Sequence, residues 1–88
     1  YFDGKCVGHT ILLPNGTRST IGVIFPSSLT FNTQAAEVME ILAGHCRVKL
    51  QGASDWIDYK EDQKFAVPAN SSFEIETTDT LHYVCHFE

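Results

Sequence analysis

Apolar and polar side chains alternate with a period of two along much of this chain. Within residues 45–51, Cys46, Val48 and Leu50 fall on one side and His45, Arg47, Lys49 and Gln51 on the other. Ser72–Thr77 repeats the pattern, with Phe73 and Ile75 opposed to Ser72, Glu74 and Glu76. Over Leu81–Phe87, Tyr83, Cys85 and Phe87 share one face, and His82, Val84 and His86 share the other. Successive side chains of an extended strand project to opposite faces, so this is the period of half-buried strands. Turn signals interrupt it at short intervals: Pro14-Asn15-Gly16, Pro26-Ser27-Ser28, Gly44, Gln51-Gly52, Glu61-Asp62, Pro68-Ala69-Asn70 and Thr78-Asp79. Short strands at this spacing predict an all-β sandwich or barrel. The best helix candidate, residues 33–43, is interrupted by the β-leaning E-V-M-E-I-L and ends at a turn glycine.

With 88 residues the chain is expected to form a single domain spanning residues 1–88, with a thin core of the kind often completed by a partner subunit. A hydrophobic content of 43% is that of a globular chain, above the disordered range. The net charge of −5, with six scattered basic residues, excludes a sequence-independent nucleic-acid binder, which presents a clustered basic surface. No apolar run approaches the ~20 residues that span a bilayer. No signal peptide is visible, and the chain opens at Tyr1 without a methionine, so a short preceding piece is expected. Cys6, Cys46 and Cys85 are odd in number, widely spaced and without a C-x-x-C pair. They are expected to be reduced, mostly buried thiols of a cytoplasmic protein rather than a disulfide framework or zinc site.

Two segments carry the architecture further. E-V-M-E-I-L-A-G at residues 37–44 and V-P-A-N-S-S-F at residues 67–73 have the layout of the two halves of a small β-barrel of the cupin type, jelly-roll-like in form. The general cupin pattern places two histidines just ahead of a glutamate and a third after a P-x-G turn. Glu37 and Gly44 satisfy the E-x6-G half, but Phe31, Asn32 and Thr33 stand upstream and Phe73 downstream. One carboxylate out of four ligands does not hold a catalytic transition metal, so no metal is expected. His82 and His86, on one strand face, leave a metal-dependent alternative with Glu37.

In order and spacing the chain resembles the pyrimidine/purine nucleoside phosphorylase family over nearly its whole length. The resemblance rests on Y-F-x-G-K at residues 1–5, [ST]-x-G-V at residues 20–23, T-F-x-T at residues 30–33 and E-x-M at residues 37–39. Gly44, D-W at residues 55–56, V-P-x-x-S-x-F at residues 67–73 and Y-x-C at residues 83–85 complete it. It implies a β-barrel, usually a homodimer, that cleaves nucleosides with inorganic phosphate as co-substrate and needs no other cofactor. The products are a free base and a pentose 1-phosphate, with wide tolerance of the base. Two positions depart from the pattern: a family aromatic is Leu29 here, expected to alter base stacking, and a glycine is Asp62, expected to change only a turn.

Phosphorolysis needs phosphate gripped by donors and positive charge, a sugar held for attack at its anomeric carbon, and a proton or hydrogen bond for the departing base. Glu37 shares strand parity with Met39 and Ile41, so it points inward as the candidate catalytic carboxylate; its plainer role is a structural carboxylate paired with a basic residue or a barrel hydroxyl. Arg18 is the preferred phosphate cation because its guanidinium fork suits phosphate oxygens, with Ser19 and Thr20 hydroxyls beside it. Lys5 is a second candidate cation. Phe31, Phe73 and Tyr83 offer faces on which any base stacks, Phe73 with the stronger claim to ordinary core packing. Thr33 and Asn32 stand in the vacated ligand positions, to bind sugar or phosphate or to satisfy a strand end. Trp56 is expected to cover the barrel or a dimer contact. Cys85, with no adjacent base in sequence, is discounted as a nucleophile. The rivals are a non-enzymatic module that binds a sugar or nucleotide, the metal-dependent cupin above, and a purely structural dimer module.

Overall fold

The alternation read from the sequence becomes an alternation of burial. A computed structural model describes residues 4–87, which form nine strands. They are β1 (Cys6–Leu12), β2 (Arg18–Ile24), β3 (Ser27–Asn32), β4 (Glu37–Ala43) and β5 (His45–Leu50), followed by β6 (Ile57–Lys60), β7 (Lys64–Val67), β8 (Ser72–Thr77) and β9 (Leu81–Phe87). There is no α-helix among the described residues: residues 33–43, the best helical candidate, end in β4. Its β-branched residues and its inward Glu37, Met39 and Ile41 suit a pleated surface better than a helical stripe.

The strands form two antiparallel sheets, ordered β1-β2-β9-β4-β7 and β3-β8-β5-β6. Between β2 and β3, β3 and β4, β4 and β5, β6 and β7, β7 and β8, and β8 and β9 the chain passes from one sheet to the other. This is how a double-sheet β fold encloses an interior with so few residues. The crossing from β4 to β5 takes a single residue, Gly44, at φ +97°; a Cβ there would come within 2.7 Å of the Thr80 carbonyl oxygen. Only glycine combines that dihedral with that approach. Asp62 holds the turn between β6 and β7 at φ +69°, a conformation that Asp tolerates. Its N–H and the Gln63 carbonyl bond Ile41 across the bulge in β4 at 2.9 Å each, so the substitution is confined to a turn, as expected.

The core lies between the sheets. Ile24, Ile41, Val67 and Leu81 from the first sheet meet Cys46 and Ile75 from the second, all essentially sealed from solvent. Full burial of such side chains contributes ~1.5–3 kcal/mol each. Leu29 belongs to this core at 7% exposure, paired with Ile75. The expected effect of Leu29 on base stacking therefore has no structural basis: its side chain is spent in packing and does not line the cavity described next.

Candidate active site

The interior is not packed at one end. A cavity of about 440 Å³ opens there between the sheets, within the ~300–1,000 Å³ of small-molecule sites. The first sheet contributes Thr20 from β2, Glu37 and Met39 from β4, and Tyr83, Cys85 and Phe87 from β9. Opposite them stand Thr30, Phe31 and Asn32 of β3 and Phe73 of β8. A smaller cavity of about 260 Å³ beside the turn after β5 shares Thr30 and Phe73 with it and otherwise holds surface polar groups such as Lys49 and Glu74.

Each wall follows from register. β9 pairs with β2 so that Cys85 opposes Thr20, and with β4 so that Cys85 opposes Met39 and Phe87 opposes Glu37. Inward residues two apart on neighbouring strands are diagonal neighbours. The Cys85 thiol accordingly donates a hydrogen bond to Glu37 Oε2. Burial first, then that bond and the Glu37 charge, push the Cys85 thiol well above the ordinary range, so it stays protonated. The expectation that Cys85 has no base beside it is corrected, because strand register brings a carboxylate into contact with it. Cys85 is a poor nucleophile all the same, since that carboxylate holds the proton on sulfur instead of removing it.

Tyr83 lies across Gly22, its register partner, where an added Cβ would sit 2.5 Å from the phenol oxygen. Its Oη is also 3.5 Å from Cys6 Sγ. On the second sheet Phe31 and Phe73, paired across β3 and β8, stack with centroids 5.4 Å apart and planes at 16°. Phe73 then meets Phe65 edge-on at 5.7 Å and so belongs to core and cavity at once. Thr20 reaches the cavity with its hydroxyl 3.5 Å from that of Thr10.

Among the substrate-binding candidates, the cavity brings together Thr20, Phe31 and Tyr83 with Glu37. Arg18 stands at the rim, exposed, with Cζ 5.7 Å from the centroid of Phe87. Phe87 thus has the carboxylate of β4 on one side and this guanidinium on the other. Thr33 is not brought to the cavity. Its hydroxyl lies 2.7 Å from the Pro68 carbonyl and 3.2 Å from that of Ser71, and accepts from the Ser71 N–H at 2.9 Å. It pins the turn of residues 68–71, and its one proton is already given to backbone carbonyls. Lys5 is exposed beside β1, where its carbonyl accepts from Phe25 N–H at 2.8 Å. Trp56 sits on the outer surface with the Arg47 guanidinium 4.6 Å from its ring centroid. Tyr1, Phe2 and Asp3 of the first motif lie outside the described residues.

The donor set does not suit a metal. Glu37 and Cys85 are the cavity's metal-ligating side chains, with Phe31, Asn32 and Phe73 where cupin histidines would stand, and no three of His, Cys, Asp and Glu converge among the described residues. His86 faces the other side of β9, bonded to Ser19 Oγ through Nδ1 and to Glu40 through Nε2, each at 3.2 Å. His45 meets Asp58 at 3.5 Å on the outer surface.

The family model for pyrimidine/purine nucleoside phosphorylase matches residues 1–87. The chain belongs to that family. A pyrimidine/purine nucleoside phosphorylase from Cupriavidus taiwanensis is 68% identical over 88 residues, all of this chain and 84% of that protein. A crystal structure from Acinetobacter sp. ADP1, described as a protein of unknown function, superposes with a TM-score of 0.98 at 47% identity, covering all of this chain and 86% of that one. A cupin superfamily protein from Desulfitobacterium hafniense shares the fold, with a TM-score of 0.77 at 12% identity over 96% of this chain and 77% of that one. The fold is thus that of a cupin-type β-barrel. Sequence reading placed Glu37, Phe31 and Tyr83 among the family's features but missed Cys85, Met39 and Phe87 as cavity walls. Strand parity alone was a sufficient signal for all three, since each shares a face with a residue already singled out.

Proposed function

We propose that this nucleoside phosphorylase family member cleaves both purine and pyrimidine nucleosides with inorganic phosphate, without a metal. The observation that carries the reading is one carboxylate, Glu37, set in a cavity walled by Phe31, Phe73, Phe87 and Tyr83. A phosphate oxygen forms a bond to the anomeric carbon as the bond from that carbon to the base nitrogen breaks. The electron pair leaves with the base, which takes up the proton that the attacking hydrogen phosphate gives up. Positive charge grows on the sugar during this exchange, and a fixed carboxylate in a site of low polarity stabilises it. Ring faces accept any heterocycle, and few polar groups among them discriminate one base from another, which supports broad specificity.

Phosphate needs positive charge, and none lines the cavity among the described residues. Arg18, exposed at the rim over Phe87, is the cation assigned to phosphate, with the Thr20 hydroxyl of the cavity wall as a further donor. The test is incubation with uridine or inosine, with and without phosphate and with chelator. Free base is expected only with phosphate, unaffected by chelator, and greatly reduced in Glu37→Gln. Nucleoside binding with no release of base would leave a non-enzymatic module; loss of activity with chelator would make the protein a metal enzyme. The same reading includes a homodimer, supported by an apolar outer face on the first sheet, and a cytoplasmic location, consistent with the buried Cys46 and Cys85 thiols, neither of which forms a disulfide among the described residues.

A further inference from the structure

Glu37 is held by one group. Its carboxylate lies at the start of β4, and the Cys85 thiol donating to Oε2 is its hydrogen-bond partner among the described residues. No ion pair among the described residues engages it, although a structural ion pair is the plainer role for such a carboxylate. A glutamate carries three side-chain torsions, so a hydrogen bond is what sets the plane of a carboxylate that lines a cavity. The thiol supplies that constraint from a strand whose position is locked on both sides, by β2 and by β4.

We propose that Cys85 is the positioning residue of this site: it secures one oxygen of Glu37 and thereby turns the other toward the sugar. The inference rests on the phosphorolysis reading for its chemistry, and on the geometry of β4 and β9 for the contact itself. A thiol suits the task in two ways. It is a weak donor to neutral partners but bonds more firmly to a charged acceptor, so it selects the ionised carboxylate. Its proton is retained, because burial and the adjacent Glu37 charge both oppose thiolate formation. The donor therefore persists through neutral pH instead of switching with it. A lysine or histidine in its place would orient the carboxylate too, but would neutralise the negative charge that the developing sugar cation requires.

The experiment has two arms. In the first, kcat and KM for uridine phosphorolysis are measured for the wild type, Cys85→Ala, Cys85→Ser, Glu37→Gln and the double variant Cys85→Ala/Glu37→Gln. Loss of one orienting bond is expected to lower kcat roughly tenfold with KM changed less than about twofold. Cys85→Ser restores a donor and is expected to recover most of the rate. The double variant is expected to be no slower than Glu37→Gln, because the thiol acts only through the carboxylate. A serine variant as slow as the alanine one, or losses that multiply in the double variant, overturns the proposal. In the second arm, alkylation of each cysteine by iodoacetamide is followed by peptide mapping at mildly alkaline pH. Glu37→Gln removes the charge that holds the Cys85 proton, so Cys85 alone is expected to react faster, by roughly tenfold, with Cys46 unchanged as the internal reference. An unchanged Cys85 rate shows that the two groups do not interact and sinks the idea. If the wild type releases no base with phosphate, the function is wrong, and the alkylation arm still decides the contact.

Discussion

At the scale of single residues, Thr33 shows how a plausible ligand becomes a fastener. Its hydroxyl serves the Pro68 and Ser71 carbonyls and the Ser71 N–H, all backbone groups of the turn that leads into β8. Thr33→Val keeps the shape and leaves those groups unsatisfied in a part-buried site. The expected outcome is a loss of ~1–3 kcal/mol in urea unfolding with KM for nucleoside unchanged. A raised KM at full stability would return Thr33 to the binding site. Cys46 makes a second residue-scale case. Burial, then the nearby Asp58, push its thiol from the usual 9.0 to about 11. The unfolded chain therefore releases this proton first as pH rises. The stability that Cys46 contributes is complete below the unfolded value near 9 and is withdrawn between there and about 11. Unfolding midpoints are expected to fall across that window by an amount equivalent to about 2–3 kcal/mol from this thiol, and to fall less in Cys46→Ala.

At the scale of elements, the pairing of β2 with β9 is where sequence and site meet. Gly22 faces Tyr83 in register, and an added Cβ would lie 2.5 Å from the phenol oxygen, 2.7 Å from Cζ and 2.7 Å from the Val7 carbonyl. Two strands and a ring must then all move. Gly22→Ala is expected to cost ~1–3 kcal/mol and to raise KM for nucleoside, because Tyr83 is driven out of place; unchanged values for both would show that the ring is loose. The strands themselves were legible because half-burial imposes a period of two on β5, β8 and β9, and because Gly44 and the turns of residues 14–16 and 68–70 punctuate them. The inward direction of Glu37 was legible for the same reason. What parity does not contain is register, which is set by long-range pairing. It therefore left Cys85 without its carboxylate, while the cupin pattern set Thr33 among ligand positions and the family resemblance gave Leu29 a role in stacking, where the structure has a turn fastener and a core residue.

At the scale of the whole molecule, the question is what covers the outer face of the first sheet. Val7, Ile11, Ile21 and Leu42 lie there with exposures of 47%, 38%, 43% and 45%, and Ile21 sits beside Val84 in mid-sheet. A five-stranded sheet, four of its strands seven residues long and β7 four, spans roughly 20–25 Å each way, on the order of 500 Å² in plan. Its accessible surface approaches the ~800 Å² that each partner of a standard interface buries. Among the polar groups of this face, Ser19, His86 and Glu40 bond one another, while His9 and His82 stand exposed opposite Ile21 and Val23. On the proposed homodimer reading a second copy of this chain is the expected occupant, because apolar rows that recur on both molecules can meet about a two-fold axis. Light scattering is expected to give a dimer at micromolar concentration. Ile21→Glu, which puts a charge at the centre of the face without touching the cavity, is expected to give a monomer that still folds. A wild-type monomer at that concentration, or a dimer indifferent to Ile21→Glu, would move the interface elsewhere or remove it. The variant also tests whether one subunit suffices: Glu37, Cys85 and Arg18 all come from a single chain, so the monomer is expected to retain phosphorolysis in proportion to its folded fraction.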